Sequence, residues 1–161
     1  MIFVSVGMEK FPFNRLLQAV DEAKVSGEIK SPVFAQTGRC TYQPKGVEHK
    51  AFIDFAEMVK NIQSSDIVVL HAGVGSVLLS LTLGKIPIIL PRRHDLGEHL
   101  DDHQLEFARK MDSLKRVIVA YSPEELIAKI LNYPALIRNF PSLSSSRQAL
   151  CEHLKEYVRS S

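Results

Sequence analysis

Residues 66–104, DIVVLHAGVGSVLLSLTLGKIPIILPRRHDLGEHLDDHQ, decide the fold. Asp66–Leu70 predicts a buried strand, His71-Ala72-Gly73-Val74-Gly75-Ser76 a turn of small residues, and the stretch from there to about Leu83 a helix. Ile86–Leu90 predicts a second buried strand, after which a polar loop leads into another helix. A strand that enters a helix through glycines leaves free backbone N–H groups at the helix N-terminus, where the dipole favours a phosphate. Gly73 and Gly75 carry no Cβ and let a ligand approach the backbone, and Ser76 adds a hydroxyl. His71, at the carboxyl end of the strand, is expected to face the same crevice. Such turns also serve tight strand–helix packing alone, and the residues by themselves leave both readings open. The turn is not a dinucleotide fingerprint, because GVGSVL has leucine where a third glycine or alanine belongs, and no Gly-Lys-Ser/Thr makes it a Walker loop.

Beyond Leu90, Pro91-Arg92-Arg93 leaves the strand and Gly97-Glu98-His99-Leu100-Asp101-Asp102-His103-Gln104 enters the next helix. Two adjacent arginines beside a helix end either neutralise a diphosphate or form a solvated surface pair. His103 and Gln104 offer donors and acceptors suited to hydroxyl recognition, as on a sugar ring. His99 and His103 stand four apart, but no third ligand or flanking base accompanies them, so no metal site is read. There is no nucleophile elbow for a Ser-His-Asp hydrolase. Asp101 and Asp102 read as dipole partners in a helix first turn rather than as a glycosidase pair.

Working outward, Ile2–Val6 predicts a first strand ending at Gly7, which starts a second loop at the carboxyl edge of the sheet. Pro12 suits a first helical turn, with Phe13, Leu16, Leu17 and Val20 at helical spacing. Val33–Thr37 predicts the next strand, residues 39–50 a polar loop, and Ala51–Ile53 a short strand. Asp54 and Glu57 make a capping pair for a helix lined by Phe55, Met58, Val59 and Ile62. A helix from about Asp101 to Met111 comes next, then a strand at Val117–Tyr121 and a helix opened by Ser122-Pro123-Glu124-Glu125. Two prolines and a serine cluster make 133–146 irregular, and a last helix, about Arg147–Val158, carries Leu150, Leu154 and Val158 on one stripe.

Strands alternating with helices predict a single α/β Rossmann-like domain over 1–161, its mostly parallel sheet covered by helices on both faces, with 133–161 as a covering or docking segment. At 161 residues one such core is expected. A net charge of +2, with no basic run interleaved with aromatics, argues against nucleic acid. The apolar start is too short for a signal peptide. Residues 67–83, interrupted by His71 and two glycines, do not make the roughly 20-residue apolar run of a membrane span. Two cysteines, Cys40 and Cys151, make no disulfide framework and suit a reducing compartment.

The segment HAGVGSVLLSLTLGKIPIILPRR, with GEHLDDHQLEFA after it, resembles the donor-binding half of family-28-type, two-domain (GT-B) sugar-nucleotide glycosyltransferases. It is most similar to that family's short exopolysaccharide subunits and also to the catalytic subunits of dolichol-linked GlcNAc transferases. The opening MIFVSVG and FPFNRLLQAVDE extend the resemblance over residues 1–130. It implies the donor-binding, catalytic subunit of an inverting UDP-sugar hexosyltransferase acting on a lipid-linked saccharide. The acceptor site and general base would lie on a membrane-associated partner, which would hold the chain at the cytoplasmic face. No metal and no cofactor beyond the UDP-sugar donor is implied. Position by position, His71 and the Gly73, Val74, Gly75 and Ser76 backbone would hold the diphosphate. Arg92 and Arg93 would lie near phosphates or sugar, with His71 and Arg92 stabilising the leaving group, and His103 and Gln104 would contact sugar hydroxyls. Relatives often carry a ribose-binding glutamate where this chain has Leu79, and Met8-Glu9-Lys10 replaces their Thr-His after the first glycine. A non-catalytic nucleotide-sugar-binding or assembly subunit that enhances a partner enzyme is the alternative. Isolated, the chain is open to homo-oligomerisation.

Overall fold

The computed structural model describes residues 1–141 and, beyond them, Glu152, Lys155, Glu156 and Arg159. The chain alternates β1 (Ile2–Ser5), α1 (Asn14–Val25), β2 (Val33–Gln36), β3 (Glu48–Lys50), α2 (Phe55–Ser64), β4 (Ile67–His71) and α3 (Val74–Thr82). It continues through β5 (Ile88–Leu90), a 3-10 turn at His94–Leu96, α4 (His103–Ser113), β6 (Ile118–Val119), α5 (Pro123–Leu131) and α6 (Tyr133–Ile137). The strands form one sheet in the order β3-β2-β1-β4-β5-β6, and every pairing is parallel. The chain winds outward from β1 to β3, then returns to lay β4 on the other side of β1, so the switch point falls between β1 and β4.

Alternation along the strands divides the core into two layers. Ile2, Val4, Val69, Ile88, Leu90 and Ile118 point to the face covered by Leu16, Leu17 and Val20 of α1, Leu126 and Ile130 of α5, and Tyr133 of α6. Phe3, Val68, Leu70, Ile89 and Val119 point to the other face, against Ile62 of α2, Val77 and Leu81 of α3, and Phe107, Ala108 and Met111 of α4. Burial on both faces is why the central strands read as unbroken apolar runs.

Several local expectations are corrected. The third strand is Glu48–Lys50, inside the stretch read as loop, and not Ala51–Ile53. It is an exposed edge strand paired with β2 through backbone alone, so its side chains carry no apolar pattern. A buried carboxylate organises the loop before it: Asp21 accepts the Tyr42 hydroxyl at 2.8 Å and the N–H groups of Lys45, Gly46 and Val47. Pro12 precedes α1, whose N-cap is Phe13. Residues 133–137, read as irregular, form α6, with Pro134 in its first turn where a missing N–H costs nothing. On α2, Ile62 is buried but Phe55 is 72% exposed. Leu150, Leu154 and Val158, the stripe of the predicted last helix, lie outside the described residues.

Candidate functional site

Strand β4 ends at His71, and one residue later Gly73 caps α3 in extended conformation (φ −75°, ψ 127°) without a side-chain hydrogen bond. The first amides of a helix have no partners within it. No acidic side chain stands in the first turn of α3 to neutralise them. That end opens into a cavity of about 650 Å³ at the carboxyl edge of the sheet, beside the switch point. Its lining includes His71, Gly73, Gly75, Ser76 and Leu79 from β4–α3, and Gly7, Met8 and Glu9 after β1. Ile53, Asp54, Phe55 and Met58, at and before the start of α2, also line it.

The His71 ring sits between two glycines. A Cβ at Gly7 would lie 2.6 Å from Nε2, and one at Gly73 2.2 Å, so neither position tolerates a side chain without moving the imidazole. Gly7 also has φ +82°, which favours glycine. Gly75 differs: a Cβ there meets nothing within 4 Å and projects into open space. His71 is 6% exposed, and its Nδ1 lies 3.4 Å from the Ser5 carbonyl, an acceptor that calls for a proton on Nδ1. Burial first, and the positive charge of Arg92 second, push the imidazole down to about 4, so it is neutral at physiological pH with Nε2 as an acceptor.

Gln36, a polar residue ending an apolar strand, ties the loops around the cavity together. Its amide donates to the carbonyls of Gly7 (3.1 Å) and Ala51 (3.0 Å), and its Oε1 accepts the Ser5 hydroxyl at 2.6 Å. The polar residue in VFAQ signals this role, although periodicity alone does not reveal it. Asp54 caps α2 as expected, accepting the Glu57 N–H at 2.8 Å, and also lines the cavity, as does Glu9.

The structure thus brings His71, Gly73, Gly75 and Ser76 to one cavity, and the other sequence-read residues elsewhere on the same sheet edge. Val74 packs against the core. Arg92 is 1% exposed, and its guanidinium donates to backbone carbonyls beneath the β1–α1 loop; it does not line the cavity. Arg93 pairs with Asp95 on the surface at 2.5 Å. Gln104 turns inward, its Oε1 accepting the Arg92 N–H at 3.2 Å, whereas the His103 ring is exposed and 3.2 Å from Asp101. α4 begins at His103, so His99 lies in the loop before it and the two histidines share no helix face. Asp101 and Asp102 hold that loop, accepting the N–H groups of His103 and His94. Among the described residues no group of three or more His, Cys, Asp or Glu is placed to hold a metal ion, and no helix is long and apolar enough to cross a membrane.

The model of the glycosyltransferase family 28 C-terminal domain matches residues 1–148. The chain belongs to that family. It is 29% identical over 123 residues to the UDP-N-acetylglucosamine transferase subunit ALG13 of Mus musculus, and 31% identical over 119 residues to that of Homo sapiens. These matches cover 69% and 68% of the chain but only 10% of either relative, so the chain spans about a tenth of their length. Among solved structures, the glycotransferase of kitacinnamycin superposes with a TM-score of 0.60 at 17% identity, over 94% of this chain and 39% of that one. At that identity the likeness concerns the fold alone.

Proposed function

We propose that the chain is the donor-binding subunit of a UDP-sugar glycosyltransferase. The observation that carries this reading is the opening of the uncapped α3 N-terminus and the His71 edge into one cavity between Gly7 and Gly75. The donor's diphosphate would rest on the amides of Gly75 and Ser76, with Nε2 of His71 beside it. Leu79, Ile53, Phe55 and Met58 offer an apolar wall for the nucleoside, and the exposed Phe55 ring a face on which a base stacks. The sugar would project past the rim toward exposed His103.

In an inverting transfer the acceptor hydroxyl attacks the anomeric carbon as its bond to the diphosphate oxygen breaks. The acceptor's proton passes to a base on the partner subunit, and UDP leaves with the bonding pair. Helix-end amides meet the charge growing on the leaving oxygen, the form of stabilisation that costs least reorganisation. Once protonated, His71 adds an Nε2–H. Hexosyl specificity, a lipid-linked saccharide acceptor in exopolysaccharide synthesis, and a membrane-associated partner at the cytoplasmic face complete the proposal. Similarity to subunits of a UDP-N-acetylglucosamine transferase supports its UDP-sugar donor and its need for a partner subunit.

The test is calorimetric titration of the chain with UDP-, GDP- and dTDP-sugars, and then a transfer assay with the co-expressed partner and lipid-linked acceptor. Selective binding of a UDP-sugar, weakened in His71→Ala, is expected. Equal indifference to all the nucleotides overturns the reading, and binding without transfer points to the assembly subunit.

A further inference from the structure

Arg92 leads the fully buried side chains by volume, and none of its hydrogen bonds goes to a carboxylate. Its Nη1 donates to the carbonyls of Phe11 (2.7 Å) and Glu98 (3.1 Å), its Nη2 to that of Val6 (2.6 Å). The guanidinium lies 4.7 Å from the Phe13 ring centroid, and Nε is buried without a partner. Enclosing a charge this way is expensive, and an apolar side chain fills such a space at lower cost. What only a planar fork provides is simultaneous hold on several carbonyls.

Two of those carbonyls, of Val6 and Phe11, flank the residues Gly7, Met8 and Glu9 that line the cavity, and the third belongs to the neighbouring β5–α4 loop. Val6 O is one peptide from Gly7, whose backbone lies against His71. Phe11 belongs to the same β1–α1 loop, and Glu98 to the β5–α4 loop. Glu98 is itself anchored, its carboxylate taking Nε and Nη2 of Arg15 at 2.8 and 2.9 Å and the Arg93 N–H at 3.0 Å. Behind Arg92, Gln104 accepts its backbone N–H. The chain of contacts runs from α1 and α4 through Arg92 to the glycine flanking the imidazole.

We propose that Arg92 is a positioning residue of the anion site, fixing the Val6–Gly7 peptide against the His71 ring and joining the two loops without itself touching the ligand. This rests on the reading of the cavity as a diphosphate site. Lysine preserves the charge but cannot span the three carbonyls, so Arg92→Lys separates position from charge.

The experiment is NMR of the His71 ring, the Gly7 amide and the arginine Nη groups during titration with UDP, in the wild-type chain, Arg92→Lys and the surface control Lys110→Ala. In wild type, UDP should shift the His71 signals and leave Arg92 Nη in place. Arg92→Lys should keep the methyl spectrum of the folded chain, move the Gly7 and His71 signals before ligand is added, and bind UDP about tenfold more weakly or worse. Lys110→Ala should match wild type. Unmoved Gly7 and His71 signals with full affinity in Arg92→Lys overturn the proposal, and so does a UDP-induced shift at Arg92 Nη as large as that at His71. If the wild-type chain ignores UDP, the donor-site reading fails, while the ligand-free Gly7 and His71 signals still decide the positioning role. Should Arg92→Lys not fold, Gln104→Ala, which frees the Arg92 N–H, is expected to move the same two signals, and their constancy overturns the proposal.

Discussion

At His71 an imidazole is held neutral by burial and by Arg92, and lowered from 6.5 to about 4. The folded state therefore binds this proton less readily than the unfolded chain. Its contribution to stability is complete above pH 6.5 and is lost as the pH falls toward 4, about 3 kcal/mol in all. Thermal melts from pH 7 to 4 should show this loss in the wild type and a flatter profile in His71→Ala. Binding a diphosphate beside Nε2 favours the imidazolium, so ligand uptake is linked to proton uptake and affinity rises as the pH falls from 7 to 5. The charged or titratable neighbours of the ring are Arg92 and His99, and Glu9 lines the same cavity. Calorimetry with a UDP-sugar, whose diphosphate diester has no proton to gain in that range, in buffers of different ionisation enthalpy measures the uptake; none would contradict the account. The two glycines of the turn should separate cleanly. Gly75→Val places methyls in open cavity and should abolish donor binding with an unchanged melting temperature. Gly73→Ala drives a Cβ to 2.2 Å from Nε2 and should cost stability as well, about 1–3 kcal/mol.

At the scale of elements, the loop from Tyr42 to Val47 depends on α1 through one carboxylate. Burial alone would raise the Asp21 pKa, but N–H groups of Lys45, Gly46 and Val47 and the Tyr42 hydroxyl outweigh it and hold it below 3.8. Its stabilisation is therefore present above pH 3.8 and lost in stronger acid. Asp21→Ala, which orphans those donors, should destabilise the domain by about 3 kcal/mol in urea unfolding, and a change under 1 kcal/mol would contradict the assignment. This contact also marks where sequence reading stops. α3, α5 and the Asp54 and Ser122 caps are legible because apolar spacing and capping chemistry are local. β3 is not, because an exposed edge strand is held by backbone pairing and by Asp21, 24 or more residues away from the donors at Lys45 to Val47. In the site, His71, Gly73, Gly75 and Ser76 are legible from the strand–turn–helix order. The inward turn of Arg92 is not, since it depends on Val6, Phe11 and Phe13, brought over it only by the parallel pairing of β1 with β4 and β4 with β5.

On the scale of the whole molecule, β3-β2-β1-β4-β5-β6 topology places the loops after β1, β3 and β4 around one cavity at a switch point, where open parallel sheets bind ligands. Met8, Leu96 and Leu100 are exposed between the elements of that same edge, and Phe55 is exposed at the start of α2. Membership of the glycosyltransferase family 28 C-terminal domain agrees with this geometry. Every functional claim depends on where the diphosphate sits, and backbone amide shifts during UDP titration of the intact chain locate it directly. The account predicts that the largest changes fall on Gly73, Val74, Gly75 and Ser76, together with Gly7. Changes confined to the amino edge of the sheet, with those amides unmoved at saturation, would contradict it.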